Sequence, residues 1–556
     1  MRLPAQFEHS MRELLREEAE AFLATYASPR TSGLRINALK LSRAAYEERF
    51  GAAGDRIPWT AGGLYTAEED RPGKHLHYYL GLYYIQEPSA MLPAELLGVL
   101  PGHRVLDLCA APGGKSTQLA GKLAGRGVLV TNDNASERTK ALAKNVERAG
   151  AANAIVMNEE PERLAEAFGA FFDRVLVDAP CSGEGMFRKD EEMVREWERH
   201  PDTVQRYAAM QRGILREAAK LVAPGGKLLY STCTFSPEEN EGSVALFLAE
   251  HPDFSVEKVE APPEWGFGPG RPDWLTPEGT AGLEGERLAS LAGTVRVWPH
   301  RSRGEGHYAA LLVREGGAAD AGAAVADKSG AQDAAETREA EAAGRDWSFP
   351  PLASVDGPAD RRASVSASMR TPAAAKEKPR PGRAPQGGHG RGRDSGGKGR
   401  PAAGQTDAQK REMLMAFARD MLPDWRPSGR LIVRGDMLYL QPDGLPPIER
   451  LHPVRPGWLL GSASKHRFEP SQALAMGLRM TDAARSLRLS SDEDEALKYM
   501  KGESLHPDPS RITDAEGNPA SGRGWALVCI DDCPAGWGRW DGALLKNELL
   551  PGWRWV

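Results

Sequence analysis

Two of the five cysteines keep unusual company. Cys181 lies in "DAPCSGEG" (178–185) and Cys233 in "STCTFSPEENEG" (231–242), each just past an apolar run and beside small and polar residues. Structural cysteines favour apolar neighbours. A thiol at the carboxyl end of a strand in an open α/β sheet stands instead where such sheets bind ligands and do chemistry, and its thiolate is a nucleophile. Asp178 opens the first of these segments.

A third segment, "DLCAAPGGKS", has small residues from Cys109 through Ala110, Ala111, Pro112, Gly113 and Gly114 to Lys115. It lacks the G-x-G-x-x-G of a dinucleotide site and matches only the end of a P-loop. A small-residue turn lets backbone approach a ligand closely. Asp133 closes the next apolar run, where a carboxylate can accept hydrogen bonds from both ribose hydroxyls. A nucleoside without a long phosphate tail fits, and S-adenosylmethionine is the candidate; the competing reading is a structural turn with an ordinary surface Asp.

The elements that must position these residues alternate. "HRVLDLCA" reads as a strand ending at Leu108, and "APGGKSTQLAGKLAG" as a turn entering a helix. "GVLVTND" is a second strand, followed by a helix capped by Ser136 and stopped by Gly150. "NAIVMN" and "FDRVLVDAP" are strands three and four. Val204, Tyr207, Ile214, Leu215, Ala218, Leu221 and Val222 mark a helical stripe before a fifth strand, "GGKLLYSTC". Such alternation predicts an α/β fold, a Rossmann-like parallel sheet with helices on both faces. Asp107, Asp133, Asp178 and Cys233 then fall at strand ends.

With 556 residues the chain is too long for one core. We expect an N-terminal α/β domain (1–95), a catalytic domain (96–314), a linker (315–405) and two small C-terminal modules (406–480 and 481–556). The linker is rich in Ala, Gly, Pro, Ser, Arg and Asp and nearly free of aromatics, a composition that predicts disorder. Between Arg370 and Arg400 it carries nine Lys/Arg against two acids. Five cysteines without a Cys-x-x-Cys pair exclude a disulfide framework and a zinc site, and fit a reduced cytoplasm. No metal, no membrane span and no signal peptide is expected. A net charge of −6 gives no general affinity for nucleic acid, so local basic patches must supply any.

"LYYIQEPSAM", "VLDLCAAPGGKSTQLA", "VLVDAPCSGEGMFRKD" and "LLYSTCTFSPEENEG", in this order, resemble the RNA cytosine-carbon-5 methyltransferases of the Sun group, closest to the bacterial small-subunit ribosomal branch. The resemblance implies methylation of cytidine carbon 5 in 16S rRNA or the small ribosomal subunit, with transfer RNA as the second substrate class and a non-catalytic assembly factor as the reading of another kind. It implies that Cys233 attacks carbon 6, that Cys181 helps release the adduct, and that Asp178 meets the base at nitrogen 3. DNA enzymes of related chemistry attack with a Pro-Cys cysteine, here Pro180–Cys181; the second cysteine motif and the motif order favour Cys233.

By the same resemblance the cofactor is held by Cys109 to Lys115, Asp133, Glu160 and Asp178, with Glu159 one position out of register. Arg30, Arg35, Asn37 and Lys40, with Arg188 and Lys189, suit RNA phosphates. The C-terminal end resembles a PUA-type RNA-binding module. There Trp537, Trp540, Trp553 and Trp555, with Arg539, Lys546 and Arg554, offer stacking and charge, although tryptophans in such strands more often build core. We expect a monomer.

Overall fold

The computed structural model describes residues 3–51, 54–189, 191–316, 405–464 and 467–555. Apart from its ends, the expected linker lies outside the described residues. The N-terminal region begins with helix α1 (Ala5–Leu15). Strands β1 (Ser32–Ile36), β2 (Gly63–Thr66) and β3 (Tyr83–Ile85) then form a small antiparallel sheet with β1 in the middle.

The alternation follows as β4 (Arg104–Asp107), α2 (Gly114–Leu123), β5 (Val128–Asn132), α3 (Ser136–Ala149), β6 (Ala154–Met157), α4 (Pro161–Phe168), β7 (Phe172–Asp178), α5 (Thr203–Leu221) and β8 (Val222–Thr232). These five strands are parallel, in the order β8–β7–β4–β5–β6. Val105, Leu106, Val175, Leu176 and Val177 are wholly buried, because helices cover both faces of the sheet. That is why these strands read as unbroken apolar runs. After helix α6 (Glu241–Glu250), strands β9 (Phe254–Glu257), β10 (Gly268–Pro269), β11 (Val295–Val297) and β12 (His307–Arg314) extend the sheet antiparallel beyond β8.

Local details depart from the sequence reading. Ser136 is the first helical residue of α3 and Ala135 holds the capping position; the Asp133 carboxylate takes the Ala135 N–H at 2.9 Å. Val222 begins β8 instead of ending α5, and on α5 the polar Gln211 is fully buried.

The C-terminal region contains β13 (Arg430–Arg434), β14 (Met437–Gln441), β15 (Pro453–Arg455), β16 (Trp458–Ser464) and β17 (Arg467–Pro470). Four of them form a sheet ordered β13–β14–β16–β17. The fifth, β15, pairs antiparallel with β6 and becomes the edge strand of the large sheet, which thereby counts ten strands among the described residues. Ile448 and Leu451 are buried in the same core cluster as Leu164 and Phe168 of α4.

The last module is a five-stranded sheet over Ser486–Asn547 that folds back on the N-terminal region. Arg49 pairs with Asp532 at 2.6 Å, and Trp555 Nε1 donates to Lys74 O at 2.8 Å. Trp537 and Trp540 are core residues, while Trp553 and Trp555 are half-buried. No helix among the described residues is long and apolar enough to cross a membrane.

One buried ion pair fastens the antiparallel extension to α6. Arg296 on β11 and Glu241, the first residue of α6, are 2% and 0% exposed and meet at 2.5 Å. The guanidinium also donates to Phe235 O and lies against Trp274, Trp298 and Tyr308. Removing one partner strands the other charge in the core. Glu241→Ala should lower stability by about 3–5 kcal/mol in chemical denaturation, and Arg296→Met added to it should restore much of the loss.

Candidate active site

Strands β7 and β8 are level: their register sets Asp178 beside Ser231. Cys181 and Cys233, each a few residues past these positions, therefore emerge together, with sulfurs 3.2 Å apart and both thiols free. Cys181 is buried and Cys233 only partly so. The hydrogen bond to Cys233, together with burial, pushes the Cys181 thiol well above the usual range. Cys181 thus stays protonated and can donate to the more accessible sulfur.

The two loops are laced together. Ser182 N–H and Gln211 Nε2 both donate to Glu239 Oε2, at 3.0 and 2.7 Å, and Gln211 Nε2 also reaches Pro180 O at 2.9 Å. Ser182 Oγ and Thr234 Oγ1 lie 2.7 Å apart. Phe235 N–H donates to Glu184 Oε2 at 2.9 Å, and Gly185 N–H to Cys233 O at the same distance. Gly185 must be glycine here, since an added Cβ would fall 2.8 Å from Cys233 O. Below the loops, Phe7, Phe22 and Tyr26 of the N-terminal region pack with Phe187 and Phe235, and the Tyr26 hydroxyl donates to Glu184 O. Burial pushes the Glu184 carboxyl up to about 7. Burial and the neighbouring Glu184 push Glu239 up to about 8.

Asp178 sits beside the thiol pair. Lys115 Nζ donates to its Oδ2 at 2.6 Å and Ser231 Oγ to its Oδ1 at 2.7 Å, and His307 Nε2 lies 3.4 Å from Oδ1. Burial works to raise this carboxyl, but Lys115 and His307 outweigh it and hold it well below the usual range. Lys115, in the first turn of α2, thereby ties that helix to the end of β7.

In that turn Gly113 has φ +110°, a left-handed conformation that favours glycine, and Ala110 and Ala111 are buried. Burial, with nearby carboxylates, drives the Cys109 thiol far up. Asp133 fastens the turn by accepting Ala111 N–H at 3.2 Å. Asp107, at the end of β4, is fully buried; Ser116 holds one oxygen at 2.6 Å, the other has no partner, and burial raises its carboxyl to about 7. Glu159 is buried and committed to Arg163 and His452, whereas Glu160 is exposed on the rim and takes Asn134 Nδ2 at 3.1 Å.

Three residues expected on RNA have structural duties instead. Arg35 is 4% exposed and donates to Gln86, to Gly114 O and to Thr117, bracing the cofactor turn from beneath. Asn37 spends both amide hydrogens on Gly81 O and Ala149 O. Arg188 is enclosed by Glu305, Thr25 O and Gly304 O. Burial lowers Lys40 to about 8, and its ammonium holds Met476 O of the C-terminal region. Arg30 and Lys189 are exposed.

The sequence reading missed His307, Gln211, Glu184, Glu239 and Ser231. Gln211 carried a usable signal, a polar residue on the apolar face of a helix. His307 carried none, since only the β8–β12 register brings it to the site.

Four family models match the chain in order. "N-terminal domain of 16S rRNA methyltransferase RsmF" covers residues 3–88, and "16S rRNA methyltransferase RsmB/F" covers 94–313. The first C-terminal domain of RsmF rRNA methyltransferase covers 416–478, and the methyltransferase RsmF PUA domain 486–555. Three similar proteins are named ribosomal RNA small subunit methyltransferase F. That of Erwinia tasmaniensis is 34% identical over 56% of this chain and 63% of its own length. That of Pectobacterium atrosepticum is 37% identical over 45% and 54%, and that of Aeromonas hydrophila 34% over 53% and 60%. The chain thus spans less than two thirds of the length of the curated relatives it matches. The four models follow one another from residue 3 to residue 555, and the chain belongs to the RsmF branch of the RsmB/F methyltransferase family.

Proposed function

We propose that this protein methylates carbon 5 of a cytidine in 16S ribosomal RNA, using S-adenosylmethionine. The observation that carries the reading is the pair of free thiols 3.2 Å apart beside an ionised Asp178. The substrate class rests on the relatives' names and on the match to a PUA domain.

The pocket residues suit the cofactor. The turn Cys109–Lys115 is small enough for close backbone approach, Asp107 keeps an unpartnered buried oxygen, and Asp133 and Glu160 are carboxylates for ribose and adenine. When bound, S-adenosylmethionine supplies the electrophilic methyl group that carbon 5 accepts.

The chain's own residues make carbon 5 receptive. The Cys233 thiolate adds to carbon 6, forming a C–S bond and moving the 5,6 electron pair into the ring. Asp178, ionised by Lys115, cannot itself take up the charge that gathers at nitrogen 3; it can accept from nitrogen 3 once that atom is protonated, and Lys115 Nζ is the donor beside it. Cys181, kept as a thiol, is placed to donate a hydrogen bond to that sulfur. Once methylated, carbon 5 gives up its proton to solvent water, the electron pair of the broken C–H bond restores the double bond, and the C–S bond breaks to return Cys233 as thiolate. Cys181 is the near donor for that departing sulfur. The target base must leave its stack to reach these atoms, and exposed Lys189, just past the loop that carries Cys181, can serve a phosphate.

Cys233→Ala should cut labelled-methyl incorporation into RNA by about a thousandfold or more and leave no adduct stable to denaturing gels. Cys181→Ala should accumulate that adduct, because addition still occurs and release fails. Swapped outcomes would make Cys181 the nucleophile.

The raised Glu239 carboxyl gives a pH signature. Its folded value of about 8 exceeds the ordinary 4.5, so the folded state holds a proton that the unfolded chain has lost. The stability it contributes is complete below pH 4.5 and disappears as pH climbs through about 8. Across that window Glu239 should reduce stability by up to about 1.4 kcal/mol per pH unit. Glu239→Gln keeps the acceptor for Ser182 and Gln211 but cannot ionise. Urea melts from pH 5 to 9 should show the variant gaining on wild type as pH rises; parallel curves would mean that Glu239 is already ionised in the fold.

A further inference from the structure

The loop Asn158–Glu160, which leaves β6 at the rim of the cofactor pocket, is gripped from two sides. On the inner side the Asn132 amide exchanges two hydrogen bonds with the Glu159 backbone, both at 3.0 Å, and Asn158 Nδ2 donates to Asp133 O at 2.8 Å. On the outer side stands the segment 445–455 of the C-terminal region. His452 N–H donates to Glu159 Oε1 at 2.5 Å, and His452 Nδ1 lies 2.9 Å from the same oxygen. Arg163 on α4 pairs with Glu159 Oε2 at 3.0 Å and donates to Arg450 O at 2.7 Å. Arg455 binds Glu147 of α3 at 2.5 Å.

Backbone pairing and burial secure the same segment. Pro453 and Arg455 pair with Met157 and Val156 of β6. Ile448 and Leu451 are 3% and 6% exposed in the catalytic core cluster, with Leu445 packed against it. Glu159, 3% exposed at its side chain, draws both of its outer partnerships from contacts with this segment and Arg163. Without them a carboxylate would be left buried with its charge uncompensated, and the loop would have to move to hydrate it.

We propose that segment 445–455 is a strap that positions the adenosine end of the cofactor pocket, so that cofactor affinity depends on a C-terminal segment whose His452 lies 293 residues beyond the Glu159 it holds. The strap closes the open edge of the parallel sheet, fixes Glu159 and leaves Glu160 alone on the pocket rim. His452, Leu451 and Arg163 are positioning residues, acting through the loop and not on the ligand. The proposal rests on the cofactor reading given above.

Titration of the full chain with S-adenosylhomocysteine by calorimetry tests it. Arg163→Ala and Leu451→Ala should each weaken binding by about five- to tenfold. In both, backbone amides of residues 158–160 should exchange hydrogen faster. Arg511→Ala, which breaks ion pairs to Glu493 and Glu495 inside the last module, should bind as wild type does. Affinities of both strap variants within about twofold of wild type would overturn the proposal. Should Leu451→Ala not fold, Arg163→Ala decides, since that side chain is 43% exposed and its loss spares the core. A wild-type chain that binds no S-adenosylhomocysteine would overturn the cofactor reading, and the strap's role with it.

Discussion

Parallel strands that lie level bring the residues past their carboxyl ends to one height, and a slip of one residue would turn every side chain to the other face. The site depends on this constraint between β7 and β8. Asp178 beside Ser231 fixes the level, and the two cysteine loops leave from there. The ladder from Val175–Leu228 to Val177–Tyr230 is buried on both faces, so slippage would bury polar groups and expose apolar ones along the whole strand. The geometry of the thiol pair is thus inherited from the core. The thiols do not need to find each other; the sheet delivers them.

What the sheet delivers, a polar network then holds. Glu184 and Glu239 are buried acids that burial raises to about 7 and about 8, and their hydrogen bonds lead to the backbones on either side of Cys181 and just after Cys233. Apolar packing alone would permit the loops to slide, whereas a satisfied network has one geometry. The cost appears in unpaired atoms such as Glu239 Oε1, close to the thiol pair. Asp178 is treated in the opposite way, ionised by Lys115. Neighbouring carboxyls are driven in opposite directions, which is how one pocket can hold both a proton donor and an anionic acceptor near neutral pH.

The alternation of strands and helices, the strand ends and the cofactor turn were legible because each depends on local pattern: apolar runs, small residues, a Gly stop. The thiol pair was legible because two matching motifs share a position relative to their strands. What escaped depends on partners distant in sequence. Arg35, Asn37 and Arg188 look like RNA cations and amides, but each is enclosed by groups from other regions, and no composition rule separates a solvated Arg from one that braces a turn. His307 enters through antiparallel register, and Gln211 through a helix face that its neighbours alone mark as apolar. Strand β15 was invisible for the same reason, since three residues carry no periodicity.

That short strand changes how the chain should be divided. Domains are commonly taken as units with cores of their own, yet here Ile448 and Leu451 complete the core of the catalytic sheet, Leu487 and Leu489 of the last module pack in one cluster with Leu34 and Ile36 of the first, and Arg35 of the first supports the cofactor turn of the second. The turn before α2 and the edge of the parallel sheet are therefore braced by different regions, the first by the N-terminal sheet and the second by β15 of the C-terminal region. A displacement of either outer region has a mechanical route to the pocket through contacts that are already made. The outer regions are thus built into the geometry of the site and are not appended to it.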